Sequence, residues 1–428
     1  MYLLQFKQLS TNARRHRKIK NTQKAPTMNI KFLLACFLVC ISFLHAQEEQ
    51  STVVAAVTQP PQTVAPATNV QLQLPECIYA VPGKEISVYF DNIVLVINPD
   101  NYVFDVTCTK GRNDNRRWRF TPAKEDVGTF DWSVKVIGDS GVLAEGSMKV
   151  HVAPENAGEG KDISILVVGD SLTNAGVYPA RIFENFQAPG NPKLKMAGSN
   201  GPGYKPQPNG VAHEGWGGWR WDTFINRTEA PKKENPKPYE IASRFINKVD
   251  DKPVLDFQNY FKLYNDGRTP DFITFQLGVN DVFAATDENL QQRITEILGY
   301  ADTLIAAARK DAPDAIIGVG LVTPGAKSQD AFGKNYNCGQ TRWQYKKNQH
   351  ALNQAMLEKF SQYEDKKVVI IPTNINLDCE NNYPTSVETV NLGNDAKITR
   401  QANGVHPAPA GYKQIGDTFY AWMKYYLK

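Results

Sequence analysis

The residues best suited to chemistry are Ser171 and His406. Ser171 stands in Gly169-Asp170-Ser171-Leu172, directly after the apolar run Ile163-Ser164-Ile165-Leu166-Val167-Val168. That run has the length and β-branched content of a buried parallel strand, and Thr173 to Phe186 reads as a helix. Ser171 is therefore expected at a strand-to-helix junction, where free N–H groups and the positive helix end favour a developing oxyanion. A serine hydroxyl is a poor nucleophile until a base takes its proton as it attacks a carbonyl. His406, in Asn403-Gly404-Val405-His406-Pro407, is the candidate base and would return that proton to a leaving alcohol. The tetrapeptide alone is weak. Gly138-Asp139-Ser140-Gly141 is nearly the same string, yet it lies between two alternating runs and reads as a hairpin turn.

Two further blocks supply context. Asp271 to Leu277 reads as a buried strand ending in Gly278-Val279-Asn280-Asp281, and Ala212-His213-Glu214-Gly215-Trp216-Gly217-Gly218-Trp219 lies before it. Four such blocks in this order resemble the SGNH (GDSL-type) hydrolases, from about residue 160 to residue 428. The resemblance implies an ester hydrolase with a doubly wound, flavodoxin-like three-layer α/β domain and no cofactor. It places the oxyanion donors at the Ser171 backbone N–H, the Gly218 backbone N–H and the Asn280 side-chain amide. Loss of one such donor typically costs roughly 10²–10³ in rate. Gly215 and Gly217 stay open as alternatives to Gly218.

One position departs from the family pattern. The family has Asp three residues before its histidine, and this chain has Asn403. An amide oxygen accepts the imidazole Nδ1–H bond but carries no charge to stabilise the imidazolium. The expectation is a Ser171–His406 pair assisted by Asn403 or a backbone carbonyl, or by another acid; Asp170 and Asp281 are close in sequence, with roles that read as structural. Plainer readings stand beside these: Ser171 and Asn280 as helix caps, His406 as a turn histidine. Of the other histidines outside the leader, His151 sits in an alternating strand and His350 on an amphipathic helix, both structural by pattern. His213 is a candidate cleft residue.

The elements that must position these residues fall into two regions. From Pro75 to Ala153, short alternating runs separated by Gly/Asn/Asp turns predict strands at 85–90, 93–97, 102–108, 117–121, 129–137 and 142–152. They suggest a small immunoglobulin-like all-β sandwich. Residues 154–160 read as a linker. Residues 160–428 alternate strand and helix, as a doubly wound parallel sheet does. Strands are predicted at 163–168, 271–277, 315–321 and 368–371, and helices at 287–309, 341–361 and 408–427. The stretch from Glu229 to Pro270 exceeds a simple connection, and loops of that length often shape clefts.

Phe32 to Leu44 is an apolar stretch behind Lys31, ending Leu44-His45-Ala46. It reads as a signal peptide with a start at Met28 and cleavage after Ala46, too short for a membrane span. Residues 47–74, rich in Thr, Val, Ala, Gln and Pro, read as a tether. Residues 1–46 hold eight of the 48 basic residues and none of the 44 acidic ones. The remainder therefore has 40 basic against 44 acidic, a net charge of −4, which gives no reason to expect a nucleic-acid partner. The destination is exported: periplasmic, cell-surface or extracellular. With Cys36 and Cys40 in the leader, Cys77, Cys108, Cys338 and Cys379 permit two disulfides, most simply Cys77–Cys108 and Cys338–Cys379. There is no Cys-x-x-Cys pair, and His213-Glu214 lacks the second His of a zinc-protease helix, so no metal is inferred.

Trp216, Trp219 and Trp221 cluster around the proposed oxyanion glycine. Exposed tryptophans stack on sugar rings; the alternative is that they pack the domain. With the leader and the β-region, Trp216, Trp219 and His213 point to a substrate site for an acylated carbohydrate or small ester, acetyl first among the acyl groups. Two other readings stay open. One is an acyltransferase on the same scaffold, with a sugar hydroxyl replacing water. The other is a non-catalytic glycan-binding protein in which Asn403 marks decay.

Overall fold

Seven of the eight residues of the strand Asp162–Gly169 are buried, as expected of a strand covered on both faces of a parallel sheet. The computed structural model describes residues 70–207 and 210–428, all within one compact unit, Ala65–Lys428. The predicted leader and most of the predicted tether lie outside the described residues. Five parallel strands run in the order Lys193–Ala197, Asp162–Gly169, Phe272–Gln276, Ile316–Gly320 and Val368–Ile371. Numbered along the chain that order is 2-1-3-4-5. Its direction reverses at the strand before Ser171, and clefts in such sheets open at the carboxyl ends of the strands there. A two-residue strand, Glu214–Gly215, pairs with Val168 and Gly169. It brings the glycine-rich block alongside the nucleophile candidate.

The helices Val177–Phe186 and Pro409–Tyr426 pack together, with Tyr178 stacked on Phe419 at 5.2 Å between ring centroids. The latter helix presses Trp422 onto the sheet at Gly318, where a Cβ would lie 2.8 Å from the indole. Leu290–Asp311 and Arg342–Ser361 pack against one another and complete the α/β layers. The single helix predicted over 173–186 is in fact two, Ser171–Asn174 and Val177–Phe186, broken at Gly176 with φ +72°. The strand Lys193–Ala197 was not predicted, because its alternating lysines hide it.

Ahead of this core, two small sheets share one hydrophobic cluster. One has four strands in the order Cys77–Ala80, Gly141–Val152, Gly128–Gly138 and Val103–Cys108; the other is Ile86–Tyr89, Arg117–Phe120 and Arg112–Asn113. Trp118 of the second meets Trp132 of the first edge to face at 6.3 Å. The predicted strand at 93–97 is mostly absent: Phe90–Ile93 is a helical turn and only Val94–Leu95 is extended. The Gly138–Gly141 string is a hairpin turn, as its flanking pattern predicts. This β-rich region is bonded to the α/β core through Ser87 N–H to Asn376 Oδ1 (2.8 Å) and Asn92 Nδ2 to the Leu377 carbonyl (2.8 Å). Asp91 also pairs with Arg342 (2.9 Å) and Lys346 (2.5 Å).

The predicted disulfides do not form: Cys77, Cys108, Cys338 and Cys379 are all free thiols. Cys77 and Cys108 lie on the two edge strands of the four-stranded sheet, with two strands between them. At about 4.8 Å per strand that is roughly 14 Å, twice the reach of a disulfide. The Cys77 thiol donates to the Tyr79 hydroxyl (3.2 Å). Cys379 is buried and donates to Asn92 Oδ1 (3.3 Å), whereas Cys338 is exposed.

Candidate active site

Ser171 is the first residue of the short helix that follows the strand Asp162–Gly169, where its N–H has no intrahelical acceptor. Asp170 shapes this junction: its Oδ1 accepts the Leu172 N–H at 2.9 Å. Ser171 Oγ lies 2.9 Å from His406 Nε2. Sequence separates the two by 235 residues; the fold joins them by placing the turn before the last helix above the carboxyl end of the first parallel strand. Partial burial holds the His406 pKa below its ordinary value, so the ring is neutral and ready to accept a proton near neutrality.

The glycine block forms a β-turn from Trp216 to Trp219, closed by the Trp219 N–H to the Trp216 carbonyl at 3.2 Å. Gly218 is its third residue, with φ +75°, which favours glycine there. Gly217 and Gly218 line the same cleft as Ser171, Asn280 and His406. Gly215 does not: it is buried, and a Cβ there would lie 2.4 Å from Thr173. Asn280 Nδ2 donates one hydrogen to the Trp219 carbonyl at 2.9 Å, which orients the amide and leaves its second hydrogen for another acceptor.

Asn403 lies beside His406 but does not bond its ring. Its Oδ1 accepts the backbone N–H groups of His406 (2.9 Å) and Val405 (3.2 Å) and so fixes the turn that carries the histidine. Among the described residues no carboxylate is hydrogen-bonded to the imidazole. Asp170 and Asp281 hold backbone amides instead, Asp281 that of Trp221 at 3.1 Å. Burial raises the pKa of each to about 7.

The tryptophans and His213 do not line the cleft. Trp216, Trp219 and Trp221 are 4%, 1% and 1% exposed, so none offers a face to a sugar. The Trp216 Nε1–H donates to Glu214 (2.7 Å) and the Trp219 Nε1–H to the Tyr239 carbonyl (2.9 Å). His213 is fully buried, accepts the Gly215 N–H through Nδ1 (3.2 Å), and is held neutral by burial with a pKa of about 4.

Sequence reading missed several residues. Glu214 is buried and accepts four hydrogen bonds: from the Tyr260 hydroxyl (2.5 Å), Trp216 Nε1 (2.7 Å), and the hydroxyl (2.7 Å) and N–H (3.2 Å) of Ser199. Asn200 Nδ2 donates to the Gly215 carbonyl at 2.6 Å. Together they anchor the oxyanion turn from behind. A glutamate flanked by glycine and tryptophan was the available signal for the first. Tyr239, Phe283 and Tyr336 line the cleft from segments outside the four blocks, and only the length of the 229–270 stretch hinted at Tyr239.

The profile of the GDSL-like Lipase/Acylhydrolase family matches residues 165–419. Among solved structures, a family 3 carbohydrate esterase from Talaromyces cellulolyticus is 18% identical, with 62% of this chain and 98% of that one covered and a TM-score of 0.37. A family 3 carbohydrate esterase from Clostridium thermocellum is 17% identical, with 62% and 98% covered and a TM-score of 0.36. A family two carbohydrate esterase from Clostridium thermocellum, in complex with cellohexaose, is 14% identical, with 82% and 94% covered and a TM-score of 0.32. No curated protein matches the sequence.

Proposed function

The chain belongs to the GDSL-like lipase/acylhydrolase family and is an ester hydrolase of that type; from this premise we propose that Ser171 and His406 remove a small acyl group, acetyl foremost, from an acylated carbohydrate. The 2.9 Å contact between Ser171 Oγ and His406 Nε2 in an open cleft carries the reading. Ser171 Oγ attacks the ester carbonyl carbon while its proton passes to His406 Nε2. The carbonyl electron pair moves onto oxygen, where the N–H groups of Ser171 and Gly218 and the free Asn280 amide hydrogen receive it. Collapse expels the alkoxide, which takes the proton from His406 and leaves an acyl-serine. Water then attacks the acyl carbon, giving its proton to His406, and the second collapse releases the acid and restores Ser171.

This centre reads as a pair rather than a triad, with Asn403 supporting the histidine backbone and no carboxylate among the described residues bonded to the imidazole. The Ser171–His406 contact supports catalysis over a decayed binding site. The apolar leader and the net charge of −4 beyond it support export. Acetate release from O-acetylated xylo- and cello-oligosaccharides by the full chain, beside Ser171→Ala, tests the assignment. Release abolished by the substitution is expected; release that survives it refutes Ser171 as nucleophile.

A further inference from the structure

We infer that Tyr239, Phe283 and Tyr336 form an aromatic subsite that receives a pyranose ring of the ester substrate, taking the place of the buried tryptophans. The inference rests on the esterase reading above. The open cleft that holds Ser171 and His406 has a volume of about 530 Å³, more than an acetyl group fills. All three rings border it, and none is fully buried.

Each ring is held in place by a specific contact. Phe283 and Tyr336 meet edge to face, with centroids 4.7 Å apart. Tyr239 lies against Gly217, where a Cβ would come within 3.2 Å of its ring, so the glycine lets the tyrosine close on the oxyanion turn. The Tyr239 backbone carbonyl accepts the Trp219 Nε1–H at 2.9 Å. The tryptophan thus fixes the segment that presents the tyrosine.

The chemistry of the rings matches a sugar. Tyrosine joins a flat apolar face to a polar edge, and a pyranose likewise has a C–H face and a rim of hydroxyls. The Tyr336 hydroxyl makes no hydrogen bond to another described residue, although partial burial raises its pKa to about 12. Half-buried at the edge of the cleft, that hydroxyl is open to solvent and free to bond a ligand hydroxyl. Asn174 adds a polar side chain to the same cleft, beside the apolar Ala175, Val279 and Val405.

The test measures kcat/KM on O-acetylated xylobiose and on ethyl acetate for wild type, Tyr239→Ala, Tyr336→Ala and Tyr336→Phe. Each alanine variant is expected to lower the saccharide value about tenfold more than the ethyl acetate value, with Tyr336→Phe in between. Equal losses on both esters overturn the subsite, because the rings would then act only through the fold. Ethyl acetate hydrolysis with no preference for the saccharide overturns the subsite and leaves the esterase reading intact. A preference of wild type for methyl ferulate assigns the rings to an aryl acyl group and also overturns it. Inactivity on all three esters overturns the esterase reading itself, and the subsite with it.

Discussion

Asn403 Oδ1 accepts the His406 backbone N–H at 2.9 Å, so the amide supports the turn beneath the histidine and not the far side of its ring. Asn403→Asp keeps that acceptor and adds a negative charge near the imidazole. His406 acts as a base only when neutral, so activity rises with pH through its pKa. A nearby carboxylate favours the imidazolium and raises that pKa, which burial depresses in the wild type. The acid limb of the kcat/KM profile is therefore expected to move up by about one unit. An unmoved limb would show that the charge is not felt at the ring.

Glu214 stands behind the oxyanion turn as a positioning residue. Glu214→Gln puts an NH₂ where a carboxylate oxygen accepted donors, so at least one of its four partners faces another donor. Displacement of the Gly218 N–H is expected to lower kcat about 10–100-fold with KM changed little. Tyr260→Phe, which removes one donor, should fall between. A rise in KM with kcat intact would place Glu214 in substrate binding instead.

The buried tryptophans should act through stability. Trp216→Ala and Trp219→Ala are each expected to cost about 3–5 kcal/mol in denaturant unfolding. A surface residue that stacked on sugar would cost little. A loss below about 0.5 kcal/mol at either position would contradict its burial.

Two buried carboxyls give stability a pH slope. The pKa of Asp170 is raised by burial from 3.8 to about 7. Stability from this group is complete below the unfolded value and is lost as pH rises toward the folded one, because the unfolded chain releases its proton first. Asp281 acts in the same direction, whereas the buried His213, with its pKa lowered, acts in the opposite one. Asp170→Asn retains an acceptor for the Leu172 N–H and removes one titration. Its melting temperature relative to wild type is expected to be higher at pH 7.5 than at pH 4.5. A constant difference would mean Asp170 is ionised throughout.

What the sequence made legible was local. Ile163 to Val168 announced its strand by composition, and the position of Ser171 just beyond it followed from the turn residues. The strand at Val368–Ile371 was placed to the residue. What failed depended on distant partners. Whether Trp219 faces solvent or Tyr239 is decided by a loop 20 residues away. Whether Cys77 reaches Cys108 is decided by strand order, which separates them across the sheet. The role of Asn403 turned on which of two neighbouring groups, a ring nitrogen or a backbone amide, its oxygen meets, and spacing alone does not distinguish them.

The central claim is that Ser171 is a nucleophile activated by His406. The most direct measurement is covalent labelling of the full chain by a fluorophosphonate, read by intact mass and peptide mapping. One adduct per chain, on Ser171, absent in Ser171→Ala and formed at least about a hundredfold more slowly in His406→Ala, is the expected result. No adduct on the wild type, or an adduct on another residue that persists in Ser171→Ala, would contradict it.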